Sequence, residues 1–158
     1  METFSIPGFW YTVQAASILA LVAAFLFFKS MMKMDEGTPR MIEIAGYVRE
    51  GALAYLKRQY RAVSVVFAIL FLIFVVLAFL GIQNPFVPVA FLTGGFFSGL
   101  CGFLGMKTAT QASSRTAAGA SKSLNQGLVT AFRSGAVMGL IVVGFGLLDI
   151  SIWFYLLN

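Results

Sequence analysis

Every lysine and arginine of this chain lies in one of two stretches, and both stretches separate long apolar runs. The first stretch holds Lys29, Lys33, Arg40, Arg49, Lys57, Arg58 and Arg61; the second holds Lys107, Arg115, Lys122 and Arg133. The apolar runs cover about 9–28, 62–82, 85–106 and 135–157, and only Asp149 interrupts the last. Each approaches or exceeds the ~20 residues a helix needs to cross a bilayer at ~1.5 Å per residue. Basic loops stay on the cytoplasmic side of a membrane. The pattern therefore predicts an all-α integral membrane protein with four transmembrane helices, both ends of the chain outside and both basic stretches in the cytoplasm. The expected location is a cell (inner) membrane, crossed several times.

Composition agrees with that reading and removes others. The chain is 59% hydrophobic, with a mean hydropathy of +0.90, whereas soluble domains are ~45–50% apolar. The expected partner of this surface is a lipid bilayer. The net charge of +5 does not point to nucleic acid, because the cations flank membrane-length runs, where anchoring explains them. There is no histidine, and Cys101 is the single cysteine. That excludes an internal disulfide, a Cys/His metal site and a Ser-His-Asp triad. The first apolar run is too long for a signal peptide, and its basic residues follow rather than precede it. Trp10, Tyr11, Trp153 and Tyr155 are expected in the outer aromatic belt. The short turn Gly81–Asn84 makes the second and third spans antiparallel neighbours.

The first basic stretch carries helix signals. Asp35, Glu36 and Gly37 read as a turn, Thr38 as an N-cap and Pro39 as the first helical residue. Met41, Ile44, Ala45, Val48, Ala52, Tyr55 and Leu56 then recur on one face, with Glu43, Glu50, Lys57, Arg58 and Arg61 opposite. An amphipathic helix over about 39–61 is expected, continuous with the second span. The second stretch is dominated by Ala, Ser, Thr and Gly. Its alanines favour two helical extensions with a turn near Gly119. Ser123 to Gln126 has the capping-box pattern for restarting a helix.

Candidate functional positions are few. Gly94, Ser98 and Gly102 form one small-residue ridge on the third span, Gly95 and Gly99 an adjacent one, and Ala131, Gly135 and Gly139 a third on the fourth. Such ridges let helices approach closely in lipid, and they are read as helix-packing surfaces. Asp149 is an intramembrane carboxylate, so an ion-path role stands beside a structural or interfacial one. Arg49 and Glu50, set between Tyr47 and Tyr55, read as helix-surface ion pairing rather than direct chemistry. Lys107, Thr108, Thr110, Ser113, Ser114 and Arg115 could contact a phosphate, although the glycine spacing of a phosphate loop is absent.

Three blocks also carry a resemblance. Ala45–Tyr60 (AGYVREGALAYLKRQY) strongly resembles the segment before the second helix of the membrane-bound, ion-translocating inorganic pyrophosphatases. Gly102–Thr110 (GFLGMKTAT), continued by Arg115 and Thr116, is similar to the end of that family's third helix. Ala131–Leu140 (AFRSGAVMGL) is similar to the start of its fourth. The blocks stand in the family's order and span nearly the whole chain. The resemblance implies a homodimeric pump that hydrolyses cytoplasmic pyrophosphate and drives H⁺ or Na⁺ outward, with Mg²⁺ required and K⁺ stimulating one class. It implies that this chain is an N-terminal fragment, outer-ring helices packed on remaining helices that bear the Asp-rich catalytic motifs. No position here matches those motifs, so no catalytic, cofactor or metal residue is carried over, and the chain alone is expected to be inactive. Two alternatives are a stand-alone membrane scaffold or accessory subunit, and a small oligomeric ion transporter built around Asp149.

Overall fold

The computed structural model describes residue 8 and residues 10–157. Glu2, Phe9 at the head of the first expected span, and Asn158 at the end of the chain lie outside the described residues. Four helices follow one another: α1 (Trp10–Met32), α2 (Pro39–Phe79), α3 (Val87–Lys122) and α4 (Leu124–Leu157). Among the described residues there is no strand, and all four helices are long and apolar enough to cross a membrane.

Local chemistry sets the helix ends. Gly37 has φ +90°, a conformation that a Cβ disfavours, and its N–H donates to Asp35 Oδ1 at 3.0 Å. That turn delivers Thr38, whose Oγ1 accepts from the Met41 N–H at 3.4 Å. Pro39 follows, where its missing N–H removes nothing from the helix. With no later proline before Pro85, α2 runs unbroken from the expected amphipathic segment into the second span. It ends at Phe79, and Gly81 just beyond it takes φ +71°. Asn84 Oδ1 then accepts from the Phe86 N–H at 2.9 Å and turns the chain into α3.

One expectation is corrected. The turn anticipated near Gly119 lies at Ser123, the single residue between α3 and α4, in extended conformation. Ser123 Oγ accepts from the Gln126 N–H at 3.2 Å and caps α4. Gly119 serves a different purpose. A Cβ on it would lie 3.1 Å from the Gln126 and Gly127 backbone. The two helices leave the Ser123 hinge with their backbones in contact, so the glycine is a packing residue, not a breaker.

The helices pack in the order α1, α4, α3, α2, with α4 flanked by α1 and α3. Among the described residues, α3 is the one helix that α2 packs against, and no residue of its membrane-length window is buried. The small core comprises Ala24, Cys101, Val137 and Ile141, covered by Phe28, Leu104, Leu140 and Phe145. Beside it, α1 and α4 approach closely. Ser17 Oγ donates to the Gly144 carbonyl at 2.9 Å, and a Cβ on Gly144 would meet Leu21 at 2.7 Å.

Candidate functional site

At the end of the bundle carrying the basic residues, the loop between α1 and α2 is pinned to α3. The contact stripe of α2 here is narrower than its apolar periodicity. Ala45 and Leu56 are buried and Met41 and Ala52 half-buried, whereas Ile44, Val48 and Tyr55 are exposed. Arg49 lies on the covered stripe, not on the outer surface expected of it. The surface pair on this helix is instead Arg40 with Glu43 at 2.7 Å, and Tyr47 also donates to Glu43.

The centre of the network is Arg115, whose side chain is only 5% exposed. Its Nε donates to the Met34 carbonyl at 3.2 Å, its Nη1 to the Gln111 carbonyl at 2.7 Å, and its Nη2 to Glu36 Oε1 at 2.5 Å. A planar fork with donors on three sides suits this task, and a lysine could not replace it. Arg49 approaches the same Glu36 oxygen at 3.7 Å. Two guanidiniums thus share one carboxylate. Beside them Lys122 Nζ donates to Asp35 Oδ2 at 2.8 Å. That hydrogen bond, then the Gly37 N–H, then the Lys122 charge hold the Asp35 carboxyl below its ordinary value.

This arrangement bears on the magnesium implied by the resemblance. Asp35 and Glu36 are neighbours in sequence, yet each is already neutralised by a cation, and Glu43 is held by Arg40. Among the described residues no group of three His, Cys, Asp or Glu side chains could hold a metal ion. A Mg²⁺ site for phosphoryl chemistry needs carboxylates free to ligate. The residues present do not fit one.

At the opposite end the aromatic residues gather. The Trp10 ring lies 5.6 Å from Tyr155, and its indole N–H donates to the Ser151 carbonyl. Trp153 donates to Thr93 Oγ1 at 2.8 Å. One turn before Trp153, half-buried Asp149 directs Oδ2 toward Gly94, where a Cβ would lie 3.6 Å away. Gly94 is seven residues into α3, about 10 Å along its axis, so this carboxylate stands between the helix end and mid-span.

The small-residue ridges fare unequally within the chain. Gly95 receives the Phe67 ring, and Gly99 and Gly102 meet Tyr60, whose hydroxyl donates to the Gly99 carbonyl. Ser98 is exposed beside them. Ala131, Gly135 and Gly139 are exposed, and nothing lies within 4 Å of a Cβ placed on either glycine. Tight contacts also fall on Gly105, Gly127 and Gly144, which the ridge pattern did not single out; a Cβ on them would run into Met138, Ala120 and Leu21 respectively. The family model described as Inorganic H+ pyrophosphatase matches residues 18–158.

The chain belongs to that family.

Curated relatives agree. A Bacteroides thetaiotaomicron protein, provisionally named a K(+)-stimulated pyrophosphate-energized sodium pump, is 63% identical over 151 residues, covering 95% of this chain and 20% of its own length. The K(+)-insensitive pyrophosphate-energized proton pump 2 of Moorella thermoacetica is 44% identical over 98% of this chain and 21% of its own. The K(+)-insensitive pyrophosphate-energized proton pump of Methanosarcina mazei is 40% identical over 89% of this chain and 21% of its own. This family member thus spans about a fifth of the length of the curated relatives it matches, the N-terminal fifth. Membership and the four apolar helices together make it a multi-pass membrane protein. Arg115 was legible only as part of a polar run, because nothing in its spacing signals burial. The signal available was Asp35-Glu36, two acids in a short loop between helices, which call for cations nearby.

Proposed function

We propose that these helices are outer-ring supports of a pyrophosphate-energised ion pump, packed beside a catalytic core on the remaining helices. The observation that carries this is the coverage. A chain alignable end to end with named pumps spans a fifth of them and engages Asp35, Glu36 and Glu43 in ion pairs. The uncovered second span supports the same reading, since a helix with no buried residue in its membrane window has room for further neighbours. In this proposal the pump is a homodimer in a cell (inner) membrane. The basic ends of the helices are cytoplasmic, the N-terminus is outside, and H⁺ or Na⁺ moves outward as pyrophosphate is hydrolysed. Mg²⁺, and K⁺ where it stimulates, act on residues supplied by the rest of the polypeptide.

The test is a chimera. This chain replaces the matching fifth of the Bacteroides relative, and hydrolysis and ion uptake are measured in membrane vesicles. Restored pyrophosphate-dependent uptake is expected, with no hydrolysis by the isolated 158-residue chain in Mg²⁺ buffer. Hydrolysis by the isolated chain would sink the proposal.

A further inference from the structure

We propose that the cleft between α2 and α3 at the basic end binds the headgroup of an anionic, hydroxyl-bearing phospholipid of the phosphatidylglycerol type. The cleft has a volume of about 270 Å³ and is walled by Arg49, Lys107 and Gln111 above, and by Leu53, Leu56 and Phe103 below. Two of the residues lining it carry unsatisfied polar atoms. Nε and Nη2 of Arg49 are buried without a hydrogen-bond partner, and so is Gln111 Oε1. Buried donors and acceptors are normally paired, and an exception calls for a missing group. Glu36 does not supply it, because it lies 3.7 Å from Arg49 and is already bonded to Arg115.

The missing group must accept from a guanidinium and donate to an amide carbonyl. A phosphodiester does the first, and a glycerol hydroxyl on the same headgroup does the second. Lys107 adds a second cation, with no ion pair among the described residues. The level in the membrane fits as well. Lys107 directly follows the third apolar run, and Gln111 lies four residues on, about 6 Å higher. The headgroup layer is about 5–8 Å thick on each side of the hydrocarbon. The apolar floor then faces the glycerol backbone and the first methylenes. Basic pockets between membrane helices are known to take such lipids. The site does not depend on the pump reading.

The experiment uses the protein purified from its own membranes in mild detergent, with every helix that accompanies this chain, then stripped of lipid. Dioctanoyl-phosphatidylglycerol, dioctanoyl-phosphatidylcholine and inorganic phosphate are titrated separately. Binding is read by native mass spectrometry and by the shift in melting temperature. The glycerol lipid alone is expected to bind and stabilise. Lys107→Gln, at an exposed position, is expected to weaken it about fivefold, and Arg49→Gln about tenfold or more, because a buried fork is lost. Equal binding of phosphatidylcholine, or an affinity unchanged in Lys107→Gln and Arg49→Gln, would overturn the proposal. So would stabilisation by inorganic phosphate alone, which assigns the cleft to a free anion. A photo-crosslinker at position 107 that captures polypeptide instead of lipid would assign it to a neighbouring helix.

Discussion

Replacing Arg115 by methionine isolates the network that ties the α1–α2 loop to α3. The substitution keeps most of the apolar volume and removes three donors, to Met34, Gln111 and Glu36. Removing one partner of a buried ion pair costs about 3–5 kcal/mol, because the other charge is left without compensation. Arg115 is 5% exposed, but Glu36 is 29% exposed and regains some water, so the expected loss is smaller, about 2–3 kcal/mol. Glu36→Gln keeps a hydrogen-bond acceptor and is expected to lose about 1–2 kcal/mol. The two changes break the same ion pair, so their effects should not add, and the double variant should resemble Arg115→Met to within about 0.5 kcal/mol. Arg115→Lys should recover less than half of the loss, since one ammonium cannot serve three separated acceptors. Steric-trap unfolding in bicelles supplies the free energies. An Arg115→Met variant within about 0.5 kcal/mol of the parent, or strict additivity with Glu36→Gln, would refute the reasoning.

Four further outcomes follow from the same geometry. Gly127→Ala forces a Cβ to 2.9 Å from Ala120 and is expected to destabilise by about 1–3 kcal/mol; Gly135→Ala, with open space around it, should change the same unfolding measurement by less than about 1 kcal/mol. Gly135→Leu and Gly139→Leu should leave the four helices intact but impair activity of the chimera if the exposed ridge on α4 seats another helix; full activity would show that nothing packs there. The Asp35 carboxyl is held low in the folded chain by Lys122, so its contribution is complete above its unfolded value of 3.8 and fades as pH falls from there through its lower folded value. Melting curves between pH 2 and about 5 should therefore show the parent and Asp35→Asn converging toward the acid end, and a constant gap would contradict this. Asp149→Asn in the chimera should leave ion uptake per pyrophosphate within about twofold, since α4 is proposed as support; its abolition would move Asp149 into the ion path.

Much of the fold was legible because it rests on long signals. Membrane-length apolar runs, cations grouped in two stretches between them, and the Thr38-Pro39 start with no later breaker each involve many residues or one unambiguous conformational rule. Single-residue roles were harder to read. Gly119 looks like a turn by composition, yet a glycine also suits the point where two backbones touch, and only the packing of α3 on α4 separates the two. The apolar stripe of α2 appeared broad because Ile44, Val48 and Tyr55 share a hemisphere with Ala45 and Leu56. With α3 as its one helical neighbour among the described residues, α2 is covered along a narrow line that includes Arg49. The burial of Arg115 depends on a loop some eighty residues away in sequence, a distance at which local pattern carries no information.

Sidedness is the claim on which the rest depends, and cysteine accessibility in intact cells measures it directly. In a Cys101→Ser background, Asn84→Cys between α2 and α3 and Ser121→Cys near the α3–α4 hinge are exposed to a membrane-impermeant maleimide. Labelling at 84 before permeabilisation and at 121 only after it is the predicted result. Labelling at 121 from the outer medium, or at both positions alike, would contradict four spanning helices with every cation on the cytoplasmic side.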